Sequence, residues 1–159
     1  AAVRIQHVAE PHGDVAGVGT RVHVLAVHLR DPLGRAHDVG RVDRLVGGNQ
    51  HHRLHPCRAA GIDASRIVLD PGFGFGKMLE HNVALLKNID LLAAGDYPLL
   101  AGISRKSMIG QLLGDVPVEQ RLHGSVAAAV IAALKGASIL RVHDVRETAD
   151  ALKIVKALL

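Results

Sequence analysis

A chain of 159 residues, 48% hydrophobic and 21% charged, has the size and balance of one domain with a single core. Its net charge of +4 and pI near 9.6 raise nucleic acid as a partner, but the basic residues are dispersed and only Phe73, Phe75 and Tyr97 are aromatic, so no stacking platform exists and nucleic acid binding is not expected. No apolar run reaches the roughly 18 residues of a membrane-spanning helix, and no membrane association is expected.

The chain opens "AAVRIQ", without an initiator methionine, and its first Met is Met78, which reads as a fragment or a processed product. The opening lacks the charged and apolar regions of a secretory signal. "RVHVLAVHL", residues 21–29, alternates as a strand does, with Val22, Val24, Ala26 and His28 on one face. The following "RDPLGRAHDVGRVDRLVGGNQHHRLHP" carries turn signals and arginines but sustains neither a helical nor a strand period. Composition changes near Cys57: eight of the eleven histidines precede it, and all six lysines follow it. Residues 1–56 thus form an atypical His/Arg/Val-rich segment. Within it His51, His52 and His55 have the chemistry of transition-metal ligands, without a Cys or carboxylate cluster to support that reading. Cys57, the only cysteine, cannot form an internal disulfide and fits a reducing, cytoplasmic setting.

Beyond Cys57 the pattern is regular. "RIVLD" (66–70) predicts a buried strand, and "HNVALLKNIDLLAA" (81–94) a helix with Val83, Leu86 and Ile89 inward. "YPLLAGIS" predicts a second strand ending at Ser104. "PVEQRLHGSVAAAVIAALKG" predicts a long helix with Pro117 in its first turn and Gly136 at its stop. "ASILRVHDV" predicts a third strand, and "RETADALKIVKALL" a closing helix with Ala149, Leu152, Val155 and Leu159 inward. This strand–helix alternation builds a parallel α/β sheet. Polar residues gather at the strand C-terminal ends: Asp70, then Ser104 with Lys106, then Arg141 and His143. Ligands of parallel β/α folds bind at that end.

"DPGFGFGK", Asp70 to Lys77, joins the first of these strands to its helix. A P-loop would need glycine where Pro71 stands and a hydroxyl where Met78 stands, and a dinucleotide loop would need a third glycine in place of Lys77. The loop suits close approach of backbone to some other ligand, or a tight turn with none.

"LDPGFGFGK", "GISRKSMIG" and "RVHDV", in this order and spacing, resemble the dihydropteroate synthase family, the sulfonamide target of folate biosynthesis. The resemblance runs from about Cys57 to Leu159. It implies a TIM barrel, of which this part supplies strands six to eight with their helices. The implied reaction joins 6-hydroxymethyl-7,8-dihydropterin diphosphate to 4-aminobenzoate, giving 7,8-dihydropteroate and pyrophosphate. Through the same resemblance, Asp70 is the acid that reads the pterin edge, and Lys106 contacts the pterin and borders the aminobenzoate site. Gly102 and Ser104 line the aminobenzoate pocket, Gly74 belongs to the glycine loop, and Phe75 is the aromatic wall. Arg141 stacks on the pterin, as a planar guanidinium can and an ammonium cannot. With His143 it forms the anion pocket for departing pyrophosphate. Lys106, Arg141 and His143 are the expected catalytic residues. Arg105, Ser107 and Asp144 read as structural.

The resemblance also implies magnesium, held with help from an Asn of the earlier strands, and a homodimer. That Asn, the Thr-Arg loop over the aminobenzoate site and further pterin-reading Asp and Asn residues are not recognisable in residues 1–56. One explanation is a displaced coding frame upstream of Cys57. Codons permitting "GNQ", "IQHV" and "HLRDPLGRAH" (with His28, Asp31, Pro32 and His37) permit family-like residues at one shared offset. Two other readings remain: a non-catalytic fragment that binds anions or a complementary half-barrel, and another pterin-binding barrel such as a methyltetrahydrofolate methyltransferase.

Overall fold

The computed structural model describes residues 3–7, 25–28 and 57–159. At its centre is Ile67–Asp70 (β3), four consecutive buried residues. Such a run, apolar on both faces until its terminal acid, belongs in the middle of a parallel sheet covered on two sides. Strand β4, Leu100–Ala101, is equally buried, and β5, Ile139–Val142, follows. Two strands precede them, Arg4–His7 (β1) and Leu25–His28 (β2). β1 pairs parallel with β5, β5 with β4, and β2 with β3. A single parallel bridge, Leu69 to Leu99, joins β3 to β4, and the Leu69 N–H donates to the Pro98 carbonyl at 2.9 Å. The spatial order is therefore β2-β3-β4-β5-β1, with every described pair parallel.

Helices connect the later strands. Leu79–Lys87 (α1) and Ile89–Ala93 (α2) lead from β3 to β4, and Ser107–Leu112 (α3) and Leu122–Leu134 (α4) from β4 to β5. Val145–Leu158 (α5) closes the chain and packs on α4. The core gathers Ile67, Leu69, Phe73, Ile89, Leu92, Leu99, Met108 and Leu140 under these helices. Ala128, Ala129 and Ala132 form the buried side of α4, where small side chains let the helix lie close to the sheet.

Several expectations are corrected in detail. The predicted helix over 81–94 begins earlier, at Leu79, and is broken at Asn88, whose side-chain amide donates to the Ala84 carbonyl and so competes with helix continuation. Its most buried apolar residues are Leu85, Ile89 and Leu92, while Val83 and Leu86 are half-buried. The second strand is two residues long, because Gly102–Ser104 leave the ladder to enter the site. Pro117 caps a 3₁₀ turn, Val118–Gln120, and α4 starts after it at Leu122. Gly136 ends α4 as expected, at φ +99°. Leu159 is not inward but 91% exposed. Val22 and Val24, like His37, His51, His52 and His55, lie outside the described residues. Among the described residues, no helix is long and apolar enough to cross a membrane.

Candidate active site

Asp70 ends β3 and is 1% exposed. Its Oδ1 accepts the Gly72 N–H at 2.9 Å, which folds the loop back over the strand end. Its Oδ2 accepts from Arg141 Nη2 at 3.1 Å. β4 lies between their two strands, so the pair reaches across it, and Gly102 of that crossing segment makes room. A Cβ there would stand 2.7 Å from Arg141 Nη2 and 3.2 Å from Cζ. The absence of a side chain at Gly102 thus leaves space for the guanidinium.

The glycine loop winds through three positive φ values, at Gly72 (+70°), Gly74 (+77°) and Gly76 (+61°), conformations that L side chains rarely adopt. Asn82, the buried polar residue of α1, ties it down. Its Oδ1 accepts the Gly74 N–H at 2.8 Å, and its Nδ2 donates to the carbonyls of Met78 and Lys77 at 2.8 and 3.1 Å. Lys77 Nζ donates inward to the Gly72 carbonyl at 2.9 Å. The loop's lysine therefore braces the turn. Phe73 is 1% exposed and belongs to the core, whereas Phe75 is half-buried at the loop tip.

Lys106 Nζ lies 4.3 Å from the Phe75 ring centroid, a cation–π contact. Its stem passes Gly74, where a Cβ would meet Cδ at 3.1 Å. Burial holds the Lys106 pKa below the ordinary lysine value, Arg141 lowers it further, and Asp70 acts in the opposite sense. Ser104, 5% exposed, accepts the His143 backbone N–H at 3.2 Å, and its Oγ stands 3.0 Å from His143 Nδ1. His143 lies one residue beyond β5, so Ser104 rather than the strand ladder orients its ring. Asp70, Gly74, Phe75, Gly102, Ser104, Lys106, Arg141 and His143 are thus joined by direct contacts into two groups at the strand ends. One centres on Asp70–Arg141 with Lys106–Phe75, the other on Ser104–His143. Arg105 and Asp144 pair bidentately at 2.6 and 3.2 Å, behind the site.

Asn82, Ser125 and Arg121 belong to the site's framework without forming part of any motif in the sequence. Only Asn82 left a signal, a polar residue at a position facing the core side of an amphipathic helix. Among the described residues no three His, Cys, Asp or Glu side chains gather as metal ligands, and the carboxylate of Asp70 is engaged by Gly72 and Arg141. The described residues do not by themselves make a magnesium cage of oxygen ligands.

Residues 10–143 match the family model for pterin binding enzymes, which corrects the boundary read from the motifs: the likeness begins well ahead of Cys57. The dihydropteroate synthase of Neisseria meningitidis serogroup C is 57% identical over 121 residues, covering 76% of this chain and 41% of that protein. The Escherichia coli K12 dihydropteroate synthase is 42% identical over 158 residues, covering 98% of this chain and 56% of that protein. A solved Xanthomonas albilineans dihydropteroate synthase with 4-aminobenzoic acid superposes with a TM-score of 0.77 at 42% identity, over 84% of this chain and 48% of that one. The chain thus spans about half the length of these relatives. The strand-end cluster and the span of these likenesses agree: the chain belongs to the pterin binding enzyme family.

Proposed function

We propose that this chain carries the pterin-and-pyrophosphate half of a dihydropteroate synthase site, on strands six to eight of a TIM barrel. The observation that carries the reading is the Asp70–Arg141 pair at 3.1 Å, reaching over Gly102 with Lys106 beside it. A buried carboxylate fixed by Gly72 and Arg141 presents acceptors to the amide and amino N–H groups of a pterin edge. The Arg141 guanidinium, held flat over a glycine, offers a planar face to a ring.

In the reaction, the amine nitrogen of 4-aminobenzoate bonds to the exocyclic methylene carbon of the pterin as the bond from that carbon to the diphosphate oxygen breaks, and the nitrogen gives up one proton to solvent or to the departing pyrophosphate. Bond breaking that runs ahead leaves positive charge on the pterin methylene, which the ring delocalises. Negative charge gathers on the leaving oxygen, and a cationic donor set placed there supplies the main electrostatic assistance. The Arg141 guanidinium is assigned that charge, and His143, its imidazole fixed by Ser104, a second hydrogen-bonding role beside it. Lys106 over Phe75 borders the ring pocket where aminobenzoate would lie. The Xanthomonas albilineans relative, solved with 4-aminobenzoic acid, supports this substrate class. The same reading puts the chain in the cytoplasm, with small-molecule substrates, as one half of a homodimer, with magnesium arriving on the diphosphate.

A second reading rests on the span. The chain covers 56% of the E. coli relative, so a non-catalytic piece that holds the diphosphate is the competing outcome. Incubation with the pterin diphosphate and 4-aminobenzoate, following dihydropteroate and pyrophosphate, separates the two. Saturable binding of the pterin diphosphate, lost in Arg141→Ala, is expected, with turnover weak. Pyrophosphate binding without any turnover favours the non-catalytic piece, and no saturable binding of either ligand overturns both.

A further inference from the structure

Between Ser104 and Lys106, Arg105 sits at φ +56°, a left-handed conformation that costs a residue with a Cβ. Its peptide groups are held from one helix. The Arg105 N–H donates to Ser125 Oγ at 2.9 Å, and Ser125 Oγ donates to the Arg121 carbonyl at 2.6 Å. The Arg105 carbonyl accepts from Arg121 Nη1 at 3.1 Å. The rest of that guanidinium donates to the Val116 carbonyl and fills the space over Gly110, where a Cβ would stand 2.6 Å from Nε. Ser125 is 3% exposed, on the face of α4 otherwise lined by Ala128, Ala129 and Ala132. A lone hydroxyl on that apolar face is costly unless bonded, and here it accepts from the loop peptide while donating to the Arg121 carbonyl.

We infer that Ser125 and Arg121 are positioning residues for Lys106: together they hold the Arg105 peptide in its left-handed form and so aim the next side chain across Phe75. The value of Lys106 to substrate rests on the synthase reading, but its placement does not, so the test observes Lys106 without turnover.

The six lysines of the full chain are ¹³C-methylated and each is titrated by NMR. Lys106 is expected to titrate below the ordinary lysine value, because it is buried and faces Arg141, with Asp70 opposing. In Ser125→Ala the Lys106 midpoint is expected to rise toward the ordinary value of about 10.4. Ser125→Thr, which keeps the hydroxyl, should hold the parent midpoint. Glycine takes positive φ freely, so Arg105→Gly alone should titrate like the parent and Arg105→Gly with Ser125→Ala should stay folded with a raised midpoint. A folded Ser125→Ala, or a folded double variant, that keeps the parent midpoint overturns the inference. Equal shifts in Ser125→Ala and Ser125→Thr overturn it too. If the chain binds no pterin diphosphate, the synthase reading fails while this result still stands or falls on the midpoints.

Discussion

Arg141 and Asp70 are unequal partners. The carboxylate is 1% exposed and the guanidinium keeps 25% of its surface in solvent. Removing the arginine strands a buried charge, whereas removing the acid leaves a cation that water can reach. Arg141→Ala should therefore lower stability by about 3 kcal/mol, the low end for breaking a buried pair, and denaturant unfolding reads it directly. Asp70→Asn should cost less stability yet abolish saturable pterin diphosphate binding, since an amide presents one acceptor oxygen in place of two. Lys106 carries the opposite conflict. Its folded pKa lies below the ordinary lysine value, so the folded chain binds fewer protons than the unfolded one between those two values. Stability from this group then rises with pH across that window, and at neutral pH the charged Lys106 is a net strain on the fold. Lys106→Met keeps an apolar stem beside Gly74 and should raise Tm at pH 7 while removing turnover. A lower Tm would mean that the cation–π contact with Phe75 outweighs the cost of burial.

Elements place these residues, and their glycines are where a small change is felt. Gly102→Ala pushes a methyl against Arg141 Nη2. The guanidinium is the movable party, so the chain should stay folded while affinity for pyrophosphate falls about tenfold or more, the loss of one charge-assisted hydrogen bond. Asn82→Ala removes three bonds from the loop and should cost about 2 kcal/mol or more, measured by thermal unfolding. At this scale the sequence was most readable where one signal acted alone. "RIVLD" is β3 because a run of β-branched and leucine residues has no other stable place than a buried strand. Gly136 ends its helix because only a residue without a Cβ takes φ +99° easily beside Ala93. The same logic placed Asp70, Lys106, Arg141 and His143 at strand ends from position alone. Reading failed where a side chain competed with the backbone. Asn88 breaks a helix whose apolar period continues through it, and Ser104 takes over the orientation of His143 where the strand has already stopped. Ser125, a small polar residue in an alanine run, carries no periodic signal, and its partner peptide is twenty residues away.

Among the described residues, a three-stranded and a two-stranded parallel group meet at the Leu69–Leu99 bridge, with β1 beside β5 in one and β2 beside β3 in the other. Two of the five described strands come from residues 1–56, the atypical His/Arg/Val-rich segment. The alternation of residues 21–29 anticipated β2, whereas "RIQH" is too short and too polar to announce β1. The displaced-frame reading predicts an insertion or deletion near codon 57 of the coding sequence. An uninterrupted frame there overturns it and leaves Arg4–His7 and Leu25–His28 as strands of the native sequence. Function at this scale turns on the outermost described strands. Among the described residues β1 and β2 each pair on one side only, and an unpaired parallel edge offers a row of N–H and C=O groups to any strand that fits. The chain spans 56% of the E. coli relative, and the part of that relative outside the match is the natural candidate to cover those edges. Co-expressing that part with this chain should give a soluble heterodimer by light scattering and raise dihydropteroate formation above that of the chain alone. Arg141→Ala in the same pair should lose the gain, because edge pairing would be intact but the anion pocket empty of its guanidinium. A heterodimer that forms without added turnover would leave the chain as a partner in assembly rather than in chemistry. Failure to associate, with the chain aggregating on its own, would show that these edges pair with like copies in preference to the added part of the relative.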